Sequence, residues 1–95
     1  MAEVTERLHA IVHGTVQGVN FRRFAQQSAQ GCGIMGWVRN LPDGTVETLV
    51  EGPRSALESY LRALHTGSPY STVTRVEVSW HAPEDTFTRF SIEYA

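Results

Sequence analysis

Between residues 7 and 13 the side chains alternate, with Leu8, Ala10 and Val12 on one side and His9, Ile11 and His13 on the other. A period of two predicts a strand with one buried face. From Phe21 the period changes. Phe21, Phe24, Ala25, Ser28, Ala29 and Cys32 recur at i, i+3, i+4 and i+7, which predicts a helix with one small-to-apolar face and with Gln26, Gln27 and Gln30 on the wet side. Gly31 or Gly33 can supply its left-handed stop. Residues 34–40 read as a second strand that runs into "LPDG", where Pro42, Asp43 and Gly44 have the chemistry of a tight turn. A third strand returns over residues 45–51, with Val46, Thr48 and Val50 set against Glu47, Leu49 and Glu51.

The stretch "GPRSALESYLRALHTG" then predicts a second helix. Pro53 suits its first position, Leu57, Tyr60, Leu61 and Leu64 form its apolar stripe, Glu58 and Arg62 are spaced to pair, and Gly67 can end it. A fourth strand is expected over residues 74–81, with Val76, Val78 and Trp80 on one side. A last one is expected over residues 86–94, with Phe90, Ile92 and Tyr94 together. The order is β-α-β-β-α-β plus one extra strand. Helices with a single apolar face and half-apolar strands imply an α+β, ferredoxin-like sandwich, with two helices on one face of a mostly antiparallel sheet. Unrelated activities share that fold, so it names no function.

Composition narrows the classes. The chain has 95 residues, 41% hydrophobic and 19% charged, which suits one small globular domain over residues 1–95. A formal net charge of −2 opposes a nucleic-acid footprint, which is ordinarily basic. Cys32 is the only cysteine, so no disulfide framework exists and a reducing compartment fits. Neither a signal-peptide core nor a membrane-length apolar run occurs. The expectation is a soluble, cytoplasmic monomer with no nucleic-acid or membrane partner.

Candidate chemistry lies in "GTVQGVNFRRF", residues 14–24, between the first strand and the first helix. Arg22 and Arg23 occupy the first helical turn, where the helix dipole disfavours a cation by roughly 0.3–1 kcal/mol. Gly14 and Gly18 permit positive φ and close approach of the backbone to a ligand. The N–H groups of Val16, Gln17, Gly18, Val19, Asn20 and Phe21 can converge into an anion-binding concavity at the helix N-terminus. Arg22 would add a planar fork matched to phosphate oxygens. A bound dianion would then offset both positive ends. Glycines serving a tight turn and arginines solvated at a helix start are the alternative on loop physics alone. The stretch is neither a Walker loop nor a G-x-G-x-x-G motif.

Together with "GWVRNLPDGTVE" at residues 36–47, "GTVQGVNFR" at residues 14–22 resembles the acylphosphatases, small enzymes that hydrolyse acyl phosphates. Gly14, Val16, Gln17, Gly18, Val19, Phe21 and Arg22 meet every fixed position of the family pattern G-x-V-Q-G-V-x-F-R, and Asn20 fills a free one. The likeness extends over nearly the whole chain, including "EGPRSALESYL" and "VTRVEV". It implies a metal-independent hydrolase acting on acid anhydrides, with no cofactor. It also implies Arg22 as the phosphate-binding arginine, Asn40 as the residue that positions water, residues 16–21 as the phosphate cradle, and a fifth strand at an edge beside the second. The partners implied are an acyl phosphate and inorganic phosphate. Without the loop motif, Asn40 would read as a strand-ending asparagine before a turn.

No other constellation competes. His9 and His13 share a strand face, but four residues of strand span roughly 13 Å, too far to grip one metal. His65 and His81 are isolated, Cys32 lies at the wrong helix end to be an activated thiol, Glu84 and Asp85 read as solvated turn residues, and Trp37 and Trp80 as packing. An RNA-recognition module shares the element order, but strand three, "TVETLVE", carries no aromatic residue. A non-catalytic phosphate- or acyl-phosphate-binding module, such as this fold forms inside larger carbamoyl-transfer enzymes, is the remaining alternative. The chain ends soon after the last strand, so an isolated enzyme is expected.

Overall fold

The chain runs β1 (Thr5–Thr15), α1 (Phe21–Cys32), β2 (Met35–Asn40), β3 (Val46–Pro53), α2 (Arg54–Thr66), β4 (Thr72–His81) and β5 (Phe90–Glu93) in a computed structural model that describes residues 4–94. The strands form one sheet in the order β4-β1-β3-β2-β5. β1 pairs antiparallel with β3 and with β4, β2 pairs antiparallel with β3, and β5 runs parallel to β2 along an edge. The ferredoxin-like expectation holds, including the place of the fifth strand.

Register explains the core. Leu8 lies opposite Val50, Ala10 opposite Thr48 and Val12 opposite Val46, so the two central strands turn their apolar sets to one face. Phe21, Ala25 and Ala29 of α1 and Leu57, Tyr60 and Leu64 of α2 close over that face and bury it. Thr48 is the polar exception and is satisfied: its hydroxyl donates to the Trp37 carbonyl and accepts from the Tyr60 phenol, each at 2.8 Å. Burial pushes the Tyr60 phenol pKa up, which keeps it a donor.

Several local expectations need correction. β1 extends two residues beyond the expected span at each end, because β3 pairs with Thr5 and Glu6 and β4 with Gly14 and Thr15, whatever their polarity. β4 begins at Thr72, where it pairs with Thr15. Pro53 is extended (φ −60°, ψ 145°) and ends β3, so α2 starts one residue later than expected. Glu58 pairs with Arg54 at 3.5 Å, one turn before it, whereas Arg62 donates to Ser59. Trp80 packs at the core margin under Arg54, and Trp37 lies half-buried beneath Arg39. β5 is short: residues 86–89 do not join it.

The segment before β5 is held instead by Glu51, which is only 6% exposed. Arg7 Nε donates to Glu51 Oε2 (2.7 Å), as does the N–H of Glu84 (2.8 Å), and the N–H of Asp85 donates to Glu51 Oε1 (3.0 Å). Glu84 and Asp85 are thus anchored through their backbone, not free turn residues. Burial alone would raise the Glu51 pKa. The Glu84 N–H, Arg7 and the Asp85 N–H outweigh burial and hold the pKa below the ordinary 4.5. A depressed carboxyl contributes stability that is whole above its unfolded pKa and lost as pH falls through the folded one. Glu51→Gln should therefore lower the unfolding free energy by about 3 kcal/mol at neutral pH. In urea titrations at pH 7 and pH 3 the gap from wild type should be wide at the first and largely closed at the second. An equal gap at both would contradict this role.

Candidate active site

The loop between β1 and α1 is shaped by positive-φ residues. Gly14 (φ 127°) passes so close to β4 that a Cβ would collide with the Thr72 carbonyl. Gly18 (φ 73°) and Asn20 (φ 63°) then turn the backbone twice before the helix begins, and Asn20 serves as N-cap without a side-chain cap bond. Such alternation aims successive N–H groups to one side. Among the described residues, none of the N–H groups of Gln17, Gly18, Val19 and Asn20 donates to another part of the chain. The helix ladder starts with the Phe24 N–H on the Asn20 carbonyl (3.1 Å), so the first-turn N–H groups are free as well. No acidic residue stands in that turn.

Val16, Gly18, Asn20, Phe21, Arg22 and Asn40 converge on one cavity of about 330 Å³. The side chains of Val16 and Phe21 are buried in the core, so both serve the cavity through their backbone. The side chains of Gln17 and Val19 turn away from it. Val19 packs on the core, and the Gln17 amide turns to the hairpin, where Nε2 donates to the carbonyls of Leu41 and Thr45, each at 2.8 Å. These two bonds fix the loop against the turn that follows Asn40. The hairpin is itself braced: Asp43 Oδ1 accepts from the Thr45 hydroxyl (2.6 Å) and the Thr45 N–H (3.0 Å), and the bonds to Thr45 lower the Asp43 pKa.

Arg22 is half-buried, with its guanidinium carbon 4.9 Å from the centre of the Tyr94 ring. Among the described residues it has no carboxylate partner. Asn40 closes the far side from the end of β2. Its Oδ1 is buried and has no hydrogen-bond partner among the described residues. A buried acceptor left unmatched is destabilising unless something else meets it, and such groups gather at functional sites. The arrangement joins free N–H donors, a helix N-terminus, a guanidinium and one acceptor, which suits an anion with a water beside it.

Tyr94 and Ile92 complete the wall, and neither was expected there. Alternation had grouped both with Phe90, but the strand climbs out of the core. Phe90 is buried, Ile92 half-buried and Tyr94 79% exposed. No local signal ties Tyr94 to Arg22, because the link is the parallel pairing of β5 with β2. The histidines fall elsewhere, with His9 paired to Glu47 and His13 to Glu77, each at 2.7 Å. Among the described residues no three His, Cys, Asp or Glu side chains come together as a metal site.

Comparison with known proteins bears on family and fold. The profile of the Acylphosphatase family matches residues 8–92. The acylphosphatase of Haloquadratum walsbyi is 49% identical over 84 residues, covering 88% of this chain and 90% of that protein. The crystal structure of acylphosphatase from Bacillus subtilis matches with a TM-score of 0.91 at 45% identity, over 94% of this chain and 99% of that one. T. kodakarensis HypF also matches, with a TM-score of 0.83 at 28% identity over 95% of this chain and 12% of that one.

Proposed function

The chain belongs to the acylphosphatase family and is a hydrolase acting on acid anhydrides, and we propose that its site divides the hydrolysis of acyl phosphates between a backbone cradle, Arg22 and Asn40. The N–H groups of residues 16–21 and the Arg22 fork hold the phosphate. Asn40 holds the water. The bond that breaks joins phosphorus to a carboxylate, a good leaving group, so the transition state is loose and its charge spreads over three equatorial oxygens. Such a state needs positioning and charge stabilisation more than a strong base. The Asn40 side-chain amide hydrogen-bonds the water and leaves one of its lone pairs for phosphorus. The water oxygen bonds to phosphorus, the electron pair of the broken bond leaves with the carboxylate, and the proton passes to a phosphate oxygen.

The observation that carries this reading is that Asn40 and Arg22 line one cavity together with the loop whose N–H groups have no partner among the described residues. We propose further that the chain works as one domain and as a monomer in the cytoplasm, without a metal, nucleic acid or membrane. A single core, a net charge of −2 and the lack, among the described residues, of a helix long and apolar enough to cross a membrane support this. The test is turnover of benzoyl phosphate by protein dialysed against a chelator, with an undiminished rate expected. A rate restored only by added Mg²⁺ or Zn²⁺ would refute metal independence. Phosphate binding without turnover would make the chain a binding module.

A further inference from the structure

We infer that the acyl group of the substrate lies in a separate groove on the Gly18–Asn20 side of the cradle, and that this groove makes the enzyme favour acyl phosphates with a flat, apolar acyl group. The inference rests on the placement of phosphate and water proposed above. Three cavities adjoin along the site. The central one shares Arg22, Asn40 and Tyr94 with a neighbour of about 290 Å³, which Leu41 and Pro42 complete. It shares Gly18 and Asn20, but neither Arg22 nor Asn40, with a groove of about 440 Å³. The two neighbours therefore flank the phosphate position from different ends.

In-line displacement decides between them, because the attacking and leaving oxygens stand on opposite sides of phosphorus. Water at Asn40 claims the Asn40 end. The leaving carboxylate must then depart past Gly18 and Asn20, into the larger groove. Val19, Phe24, Pro69 and Tyr70 line it, with Gln27 and Ser68 among them, and this mainly apolar wall is the surface expected of a pocket for an apolar group.

The groove is built into the fold. Ser68, 5% exposed, donates its hydroxyl to the Val19 carbonyl (3.1 Å) and so fastens the α2–β4 turn to the cradle loop. The Ser71 hydroxyl and N–H both donate to the Ser68 carbonyl (2.8 and 3.0 Å), which shapes the turn that projects Tyr70. Tyr70 is 85% exposed and makes no ring contact or hydrogen bond among the described residues. An aromatic face held open beside the leaving-group position can stack on a benzoyl ring and has little to offer a methyl group.

Tyr70→Ala tests this, because removing an exposed, unpartnered ring leaves the core untouched. We expect the ratio of kcat/KM for benzoyl phosphate over acetyl phosphate to fall roughly three- to tenfold. The change should come mainly through KM for benzoyl phosphate, with inhibition by inorganic phosphate unaltered and the ratio restored in Tyr70→Phe. An unchanged ratio in Tyr70→Ala would overturn the assignment. So would a selective loss of benzoyl phosphate turnover in Tyr94→Ala, which would put the acyl group at the Asn40 end. Failure of the underlying site reading looks different: wild type would turn over neither substrate, or Arg22→Ala would turn over both normally.

Discussion

Arg22→Ala should lower kcat/KM for an acyl phosphate by about 10³-fold or more and sharply weaken inhibition by inorganic phosphate, with little change in thermal stability. The stability half of that expectation follows from placement. Arg22 stands in the first turn of α1, next to Arg23 and without an acidic neighbour, where the helix dipole opposes a cation. Among the described residues it has no carboxylate to lose, only the ring of Tyr94 beneath it. The catalytic half follows from chemistry, since no other guanidinium shares the cavity except the exposed Arg23 at its rim. Arg22→Lys should recover little, because an ammonium is a point charge and lacks the planar fork. Arg23→Ala is the control and should have a smaller effect. Steady-state kinetics and thermal unfolding of the three variants read both halves. Near-wild-type turnover in Arg22→Ala would remove the guanidinium from the mechanism.

What could be read from the sequence was what is set locally. The alternation of Leu8, Ala10 and Val12 against Val46, Thr48 and Val50 gave the two central strands and their buried face, because a one-residue slip would turn every one of these side chains to solvent. The i, i+3, i+4 spacing gave both helices; Gly33, one of the two glycines expected to, stops the first, and Gly67 stops the second. Contacts distant along the chain were not legible. Glu51 looked like an outward-facing strand residue, yet it organises the segment around Glu84 and Asp85, so the last strand starts at Phe90.

The candidate site divides in the same way. The cradle and Arg22 are legible because one continuous stretch builds them. Gln17 was read for its backbone alone, and its side chain proves to be the tie between loop and hairpin through Leu41 and Thr45. Tyr94 comes to the candidate site through the pairing of β5, and Tyr70 to the adjoining groove through the docking of the α2–β4 turn by Ser68. No periodicity encodes either.

Asn40 carries the second large effect. If it holds only the nucleophile, its loss removes an interaction felt in the transition state and little of the grip on phosphate. Losing one such hydrogen-bonding group typically lowers the rate about 10²–10³-fold. Asn40→Asp should fail too, because a carboxylate there repels a phosphate dianion. The buried Oδ1 gives the alanine variant a second signature: removing a partnerless acceptor should leave stability unchanged or raise it. The most direct test of the division of labour is kcat and the inhibition constant of inorganic phosphate, measured together in Asn40→Ala. The account predicts a kcat lowered about 10²–10³-fold with phosphate binding nearly intact. A kcat close to wild type with phosphate affinity lost would contradict it, because Asn40 would then belong to the cradle and the water would be oriented by another group.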